Sequence, residues 1–171
     1  SNVYVYYAGH GAPAGNAGSS YIVPSDATSE TVELTGYPLA TLYKNLGKIS
    51  AKSITVILEA CFSGTSQAGS LIPRSSGISV EPKVLKIPPK ITVISAGAAN
   101  QIASWEKNEK HSLFTKYFLT GMSGESDKPP YGNGDGKVSH AELGKYLEGT
   151  MTYYARRYYG RDQKAQIVEG G

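Results

Sequence analysis

Two side chains in the 171-residue chain have the type and setting for covalent chemistry, a histidine and a cysteine. His10 stands in Tyr6-Tyr7-Ala8-Gly9-His10-Gly11, and Cys61 in Leu58-Glu59-Ala60-Cys61-Phe62-Ser63-Gly64. A thiolate is a strong nucleophile, and an imidazole within reach can take the thiol proton and return it to a leaving group. Each residue follows a short apolar run and lies close to glycine. Singly, each has a plainer reading. A cysteine after an apolar run is commonly a small buried hydrophobe, and a histidine between glycines can merely decorate a turn. Together, on two strand ends, they favour a nucleophile and its acid–base partner.

That pairing depends on the elements beneath it. Residues 3–7, 54–58 and 91–95 read as short buried strands, rich in β-branched or aromatic residues and bounded by glycine or proline. None alternates cleanly, which predicts strands covered on both faces of a parallel sheet. A weaker fourth strand is expected at 165–168. Pro38 opens a helical pattern carried by Leu39, Leu42, Tyr43 and Leu46 and stopped by Gly47. Lys44, Lys48 and Lys52 read as solvated charges. A second helix is expected at about 112–122, with Leu113, Phe114, Tyr117 and Phe118 on its apolar face. A third starts near Ser139, where Ser139 and Glu142 form a capping box, and runs on toward Tyr153, Tyr154, Tyr158 and Tyr159. The order strand–helix–strand–long loop–strand–helix–helix–strand argues for an α/β fold. The stretch 63–90, rich in serine and glycine and carrying Pro73, Pro82, Pro88 and Pro89, reads as a long mobile loop after the cysteine. Open α/β sheets bind ligands beyond the carboxyl ends of their strands, where His10 and Cys61 fall if their strands are parallel and close.

Composition narrows the field. With 40% hydrophobic and 18% charged residues the chain is neither disordered nor collagen-like. The length suits one domain, taken as residues 1–171. A single cysteine excludes an internal disulfide framework and any zinc site built on cysteine pairs. No apolar run approaches the roughly 20 residues that cross a bilayer, so no membrane partner is expected. The net charge of +3 comes from scattered lysines and arginines without a basic stripe, so no nucleic-acid partner is expected either. The 13 tyrosines, against 3 phenylalanines, point to packing with wet edges. The compartment is not determined; a cytoplasmic one is favoured.

The segments Tyr7-Ala8-Gly9-His10-Gly11 and Glu59-Ala60-Cys61-Phe62-Ser63-Gly64 closely resemble those of caspase-like cysteine peptidases, especially metacaspases and their bacterial relatives. The 51 residues from His10 to Cys61 match the spacing of about 50 noted for caspases. Tyr21-Ile22-Val23-Pro24-Ser25-Asp26-Ala27, Ile94-Ser95-Ala96 and Ser112-Leu113-Phe114-Thr115 resemble later segments of the family, in order. The resemblance implies a three-layer sandwich with a mostly parallel sheet between helices. The family's domain normally begins with a further strand–helix–strand portion before the histidine strand; its absence here implies an N-terminally incomplete domain, with a complementary N-terminal segment or chain as a candidate partner. Phe62 also departs from the histidine usual in metacaspases, a variant common in bacterial members.

The resemblance implies a cysteine endopeptidase acting on protein or peptide substrates. His10 and Cys61 would be the dyad, forming a thioester acyl-enzyme, and the backbone N–H groups of Gly11 and Cys61 the oxyanion hole. At the position of Glu59 metacaspases carry an aspartate lining the S1 pocket, so Glu59, with Asp26 as a second acidic candidate, implies cleavage after Arg or Lys. A strand-end charge facing water remains the alternative for Glu59. With that preference Arg74, Lys83, Lys86 and Lys90 become candidates for self-cleavage. A catalytically inactive caspase-like scaffold or regulatory module is the main competing function, and a nucleotide-binding α/β domain a remote one.

Three further motifs carry less. Gly9-His10-Gly11-Ala12-Pro13-Ala14 fits a relaxed dinucleotide fingerprint, which must open a helix; Pro13, Gly15 and Gly18 indicate a loop instead. Gly64-Thr65-Ser66-Gln67-Ala68 lacks the last glycine of a serine-hydrolase elbow. Tyr131-Gly132-Asn133-Gly134-Asp135-Gly136, with Glu142 at the twelfth place, copies a calcium loop except at its first position, where tyrosine cannot replace a carboxylate. A turn with a capping motif is expected there, with Asp127, Asn133, Asp135 and Glu142 as weak calcium candidates. No cofactor is required, and calcium is a candidate activator because many metacaspases respond to it.

Overall fold

The computed structural model describes residues 1–14, 19–28, 30–60, 62, 65–66, 69–70, 85–98, 101 and 111–171. Its central sheet contains β1 (Asn2–Ala8), β5 (Ser53–Glu59), β8 (Ile91–Ser95) and β9 (Gln166–Glu169), in the order β1-β5-β8-β9. The first three are parallel and β9 is antiparallel to β8. Between β1 and β5 lie β2 (His10–Ala14), β3 (Ser19–Val23), the single turn α1 (Val32–Thr35), β4 (Tyr37–Pro38) and α2 (Leu39–Leu46). The short strands β6 (Thr65–Ser66) and β7 (Gly69–Ser70) pair with each other. Helices α3 (Leu113–Met122), α4 (His140–Leu147) and α5 (Tyr153–Tyr159) precede β9. Among the described residues no helix is long and apolar enough to cross a membrane.

The central strands are apolar on both faces because both faces are covered. Ile54, Val56 and Leu58 of β5 pack with Ile91 and Val93 of β8 against Leu39, Tyr43 and Leu46 of α2. On the opposite face Ile57 and Ile94 meet Leu113 and Phe114 of α3, Leu143 and Leu147 of α4, and Ala155 of α5. Helix, sheet and helix thus form three layers, the α/β arrangement expected from the element order and the sandwich that the resemblance implies.

Strand β1 departs from the expectation of cover on both faces. Val3, Val5 and Tyr7 pack against the first core, whereas Tyr4 and Tyr6 are 69% and 53% exposed. It is an edge strand with the alternation of a half-covered face, because the helices of the second layer lie over β5, β8 and β9.

The stretch after the histidine is also corrected. Residues 10–14 form not a loop but the strand β2, antiparallel to β3, with Pro13 opposite Ser20. Pro13 is compatible with a strand because β2 lies at the edge of the sheet β2-β3-β4. A strand offers no helix N-terminus to a pyrophosphate, so the dinucleotide fingerprint lacks the context it needs.

Boundary chemistry in the helices follows the sequence closely. Pro38 caps α2 rather than opening it, and Gly47 follows its last residue. The Ser112 hydroxyl accepts from the N–H of Thr115 at 3.0 Å. Ser139 and Glu142 form the reciprocal capping box at the start of α4. The third helix does not run straight into the tyrosine cluster, since a π-helical turn, Glu148–Thr152, separates α4 from α5. Gly149 lies in that turn against the Tyr131 ring, where an added Cβ would stand 2.6 Å from Cε1.

In the segment after the cysteine, residues 71–84 lie outside the described residues. Its last part is packed, with Leu85 and Ile87 against the first core. Residues 85–90 form no helix or strand.

Candidate active site

Parallel pairing sends the carboxyl ends of β1, β5 and β8 to one rim of the sheet. Ala8 pairs with Glu59, so the residue two before His10 stands beside the residue two before Cys61. The Gly9 N–H donates to the Glu59 carbonyl at 3.1 Å, closing the ladder at that rim.

The chain then turns at Gly9 into β2, and Tyr7 holds the turn. Its hydroxyl donates to the carbonyl of His10 at 2.8 Å. An added Cβ at Gly9 would lie 2.6 Å from that hydroxyl, so glycine keeps the contact open. Partial burial pushes the Tyr7 hydroxyl above the ordinary tyrosine range, which keeps it a donor. The His10 side chain is exposed at the start of β2. Gly11, one residue on, is buried and opposite Ile22.

Cys61 lies outside the described residues. Both of its neighbours belong to the first core, with Ala60 5% and Phe62 8% exposed. Position 62 is thus a packing position, which gives a physical reason for phenylalanine there.

Glu59 is not a charge simply facing water. Its Oε2 accepts from the Tyr6 hydroxyl at 2.7 Å and from the Thr115 hydroxyl. The two hydroxyls are 2.9 Å apart. Tyr6 comes from β1 and Thr115 from the first turn of α3, which Ser112 caps. Partial burial raises the Tyr6 hydroxyl above its ordinary range; Thr115 pulls it down, and the Glu59 carboxylate adds to the rise. The phenol is therefore held protonated, as a donor to the carboxylate needs to be.

The other candidates fall elsewhere. Asp26 is exposed in the turn after β3, beyond the end at which Val23 pairs with His10. Among the described residues no hydrogen bond joins it to Glu59. Arg74 and Lys83 lie outside the described residues. Lys86 is exposed between two residues packed on the core. The Lys90 ammonium donates to the carbonyl of Ile49 at 2.6 Å, and its own carbonyl accepts from Ile54.

The loop 131–136 folds around a carboxylate of the chain itself. Asp127 Oδ1 accepts from the N–H groups of Gly134 and Asp135 at 3.0 and 3.1 Å, and Oδ2 from Gly136 at 2.9 Å. Gly134 and Gly136 have φ of 74° and 81°, the left-handed region that glycine reaches without strain. Glu142 accepts from the N–H groups of Asn133 and Ser139. The expected turn with its capping motif is present, and among the described residues no group of three or more His, Cys, Asp or Glu could hold a metal ion.

A family model for the caspase domain matches residues 1–142, from the first strand into α4. The chain belongs to the caspase domain family. That family is one of cysteine peptidases, and the three-layer α/β fold is that of a caspase-like sandwich. No curated protein matches the chain. The match ends at 142, whereas the second core and the central sheet continue past it: Leu143, Leu147, Met151 and Ala155 are all 0% exposed in that core, and β9 pairs with β8.

The sequence singles out His10, Cys61 and Glu59 but gives no role to Tyr6 or Tyr7, and Thr115 stands in it only as part of a family segment. Nothing local marks a tyrosine in a strand as a donor to a residue 53 positions away. The one available signal was the alternation of tyrosines with valines in β1.

Proposed function

We propose that this caspase domain is a cysteine endopeptidase, with His10 and Cys61 as the catalytic dyad and Glu59 favouring Arg or Lys before the scissile bond. The observation that carries the reading is the register of Ala8 with Glu59, because both motifs then leave adjacent parallel strands at the same rim.

The chemistry follows from the two groups. The Cys61 thiolate adds to the peptide carbonyl carbon, and the carbonyl electrons move onto oxygen. N–H groups of Gly11 and Cys61 would hold that oxyanion, one such donor being worth about 3 kcal/mol in the transition state. Collapse breaks the C–N bond, and the protonated His10 gives its proton to the departing amine. The neutral imidazole then takes a proton from water, whose oxygen attacks the thioester. Release of the carboxylic acid returns the thiol. Glu59 attracts a cationic side chain and repels a carboxylate.

The test is cleavage of fluorogenic peptides ending in Arg, Lys or Asp, with and without calcium, which we include as a candidate activator. Cleavage after Arg and Lys but not Asp is expected, abolished in Cys61→Ala. In His10→Ala we expect alkylation of Cys61 by an Arg-based electrophile to slow by about 100-fold or more. A folded protein that turns over none of these peptides would be a scaffold rather than a peptidase.

A further inference from the structure

We infer that Tyr6 and Thr115 are positioning residues that hold Glu59 ready for a cationic side chain, an inference that rests on the S1 reading of Glu59. A glutamate side chain at a strand end has three rotatable bonds, and left free it would sample many rotamers. Here two hydroxyls from different elements, one on β1 and one on α3, converge on the same oxygen, Oε2. Each carboxylate oxygen has two lone-pair directions, so the hydroxyls saturate Oε2. Among the described residues Oε1 accepts no hydrogen bond, which leaves it as the oxygen to meet an incoming donor.

The adjacent strand does not crowd that oxygen. Ala8, the register partner of Glu59 in the adjacent strand, projects only a methyl group on the same face. Both clamping groups are uncharged donors, so they orient the carboxylate without neutralising it. An arginine or lysine of the chain in their place would satisfy the charge and cancel the attraction for substrate. With Oε2 saturated, the contact with substrate runs through Oε1 alone. A guanidinium then gains no two-oxygen fork over an ammonium, and Arg and Lys substrates come out within about threefold of each other.

The experiment compares Tyr6→Phe, Thr115→Val and Thr115→Ser with the parent protein on peptides ending in Arg, Lys and uncharged norleucine. We expect KM for the cationic peptides to rise about three- to tenfold in Tyr6→Phe and Thr115→Val, with kcat and the norleucine values unchanged. Thr115→Ser keeps the hydroxyl and the parent behaviour, which separates the clamp from a general packing role. The same series in the Cys61→Ala background, read as calorimetric binding of the Arg and norleucine peptides, tests the clamp without turnover. If Glu59→Gln leaves the preference for cations intact, the S1 reading fails and the clamp with it. If Glu59→Gln removes the preference while Tyr6→Phe and Thr115→Val leave KM and binding untouched, the clamp alone is overturned. Equal binding of Arg and norleucine peptides in the Cys61→Ala protein also overturns it.

Discussion

Lys90 illustrates how one residue's surroundings decide whether a candidate can act. A peptidase needs its target bond in an extended segment lifted away from the fold. Cleavage after Lys90 would fall at Ile91, which is 1% exposed in the central strand β8. Cleavage after Lys86 would fall at Ile87, which packs against the first core. If the purified protein processes itself, fragment masses should therefore map to Arg74 or Lys83, with the bonds after Lys86 and Lys90 intact. The Cys61→Ala protein should stay whole. Fragments ending at Lys90 would contradict this. Tyr7 makes a complementary point, because its hydroxyl serves the backbone of the His10 turn and holds the turn that presents the imidazole.

At the scale of elements, the start of α4 joins the calcium-like loop to the second core. The Glu142 carboxyl is lowered from the ordinary glutamate range, chiefly through the Ser139 N–H, then the Ser139 hydroxyl, with burial opposing and Asn133 helping. A carboxyl with a depressed folded-state pKa stabilises the fold above its unfolded value, and that contribution is lost as pH falls through the depressed one. Glu142→Gln should therefore be less stable than the parent at pH 7, and urea midpoints should converge as the pH drops below the normal glutamate range. Ser139→Ala removes the other half of the box and should cost about 1 kcal/mol at pH 7. A gap of the same size at pH 7 and pH 3 would mean that ionisation of Glu142 contributes nothing to stability.

For the whole molecule, the caspase domain match ends inside a helix whose core face continues past it. Cutting after residue 142 would remove Leu143, Leu147, Met151 and Ala155, each fully buried, together with β9. Burial of a large apolar side chain is worth about 1.5–3 kcal/mol, so losing this set approaches the whole stability of a typical domain, about 5–15 kcal/mol. A 1–142 fragment should show no cooperative thermal transition by circular dichroism, whereas the full chain should. The same residues share the cover of Ile57 and Ile94 with α3, so the strand leading to Cys61 would lose much of one of its two supporting layers.

Local chemistry made much of this protein legible from its residues alone. Short apolar runs rich in β-branched residues located β5 and β8 because buried central strands need no alternation. Ser112 and the Ser139–Glu142 pair marked helix starts because a cap is satisfied within three or four residues. The His10 and Cys61 motifs stood on strand ends in the order and spacing of the family. Tertiary structure decided what no short window contains. It placed β1 at an edge, turned the stretch at 10–14 into a strand by supplying β3 as a partner, and aligned Ala8 with Glu59. It also brought Thr115 to a carboxylate 56 residues earlier in the chain. Caps and strand propensities act between near neighbours along the backbone. Register and the contacts of Glu59 arise only when distant segments pack, so their physical cause lies in the fold.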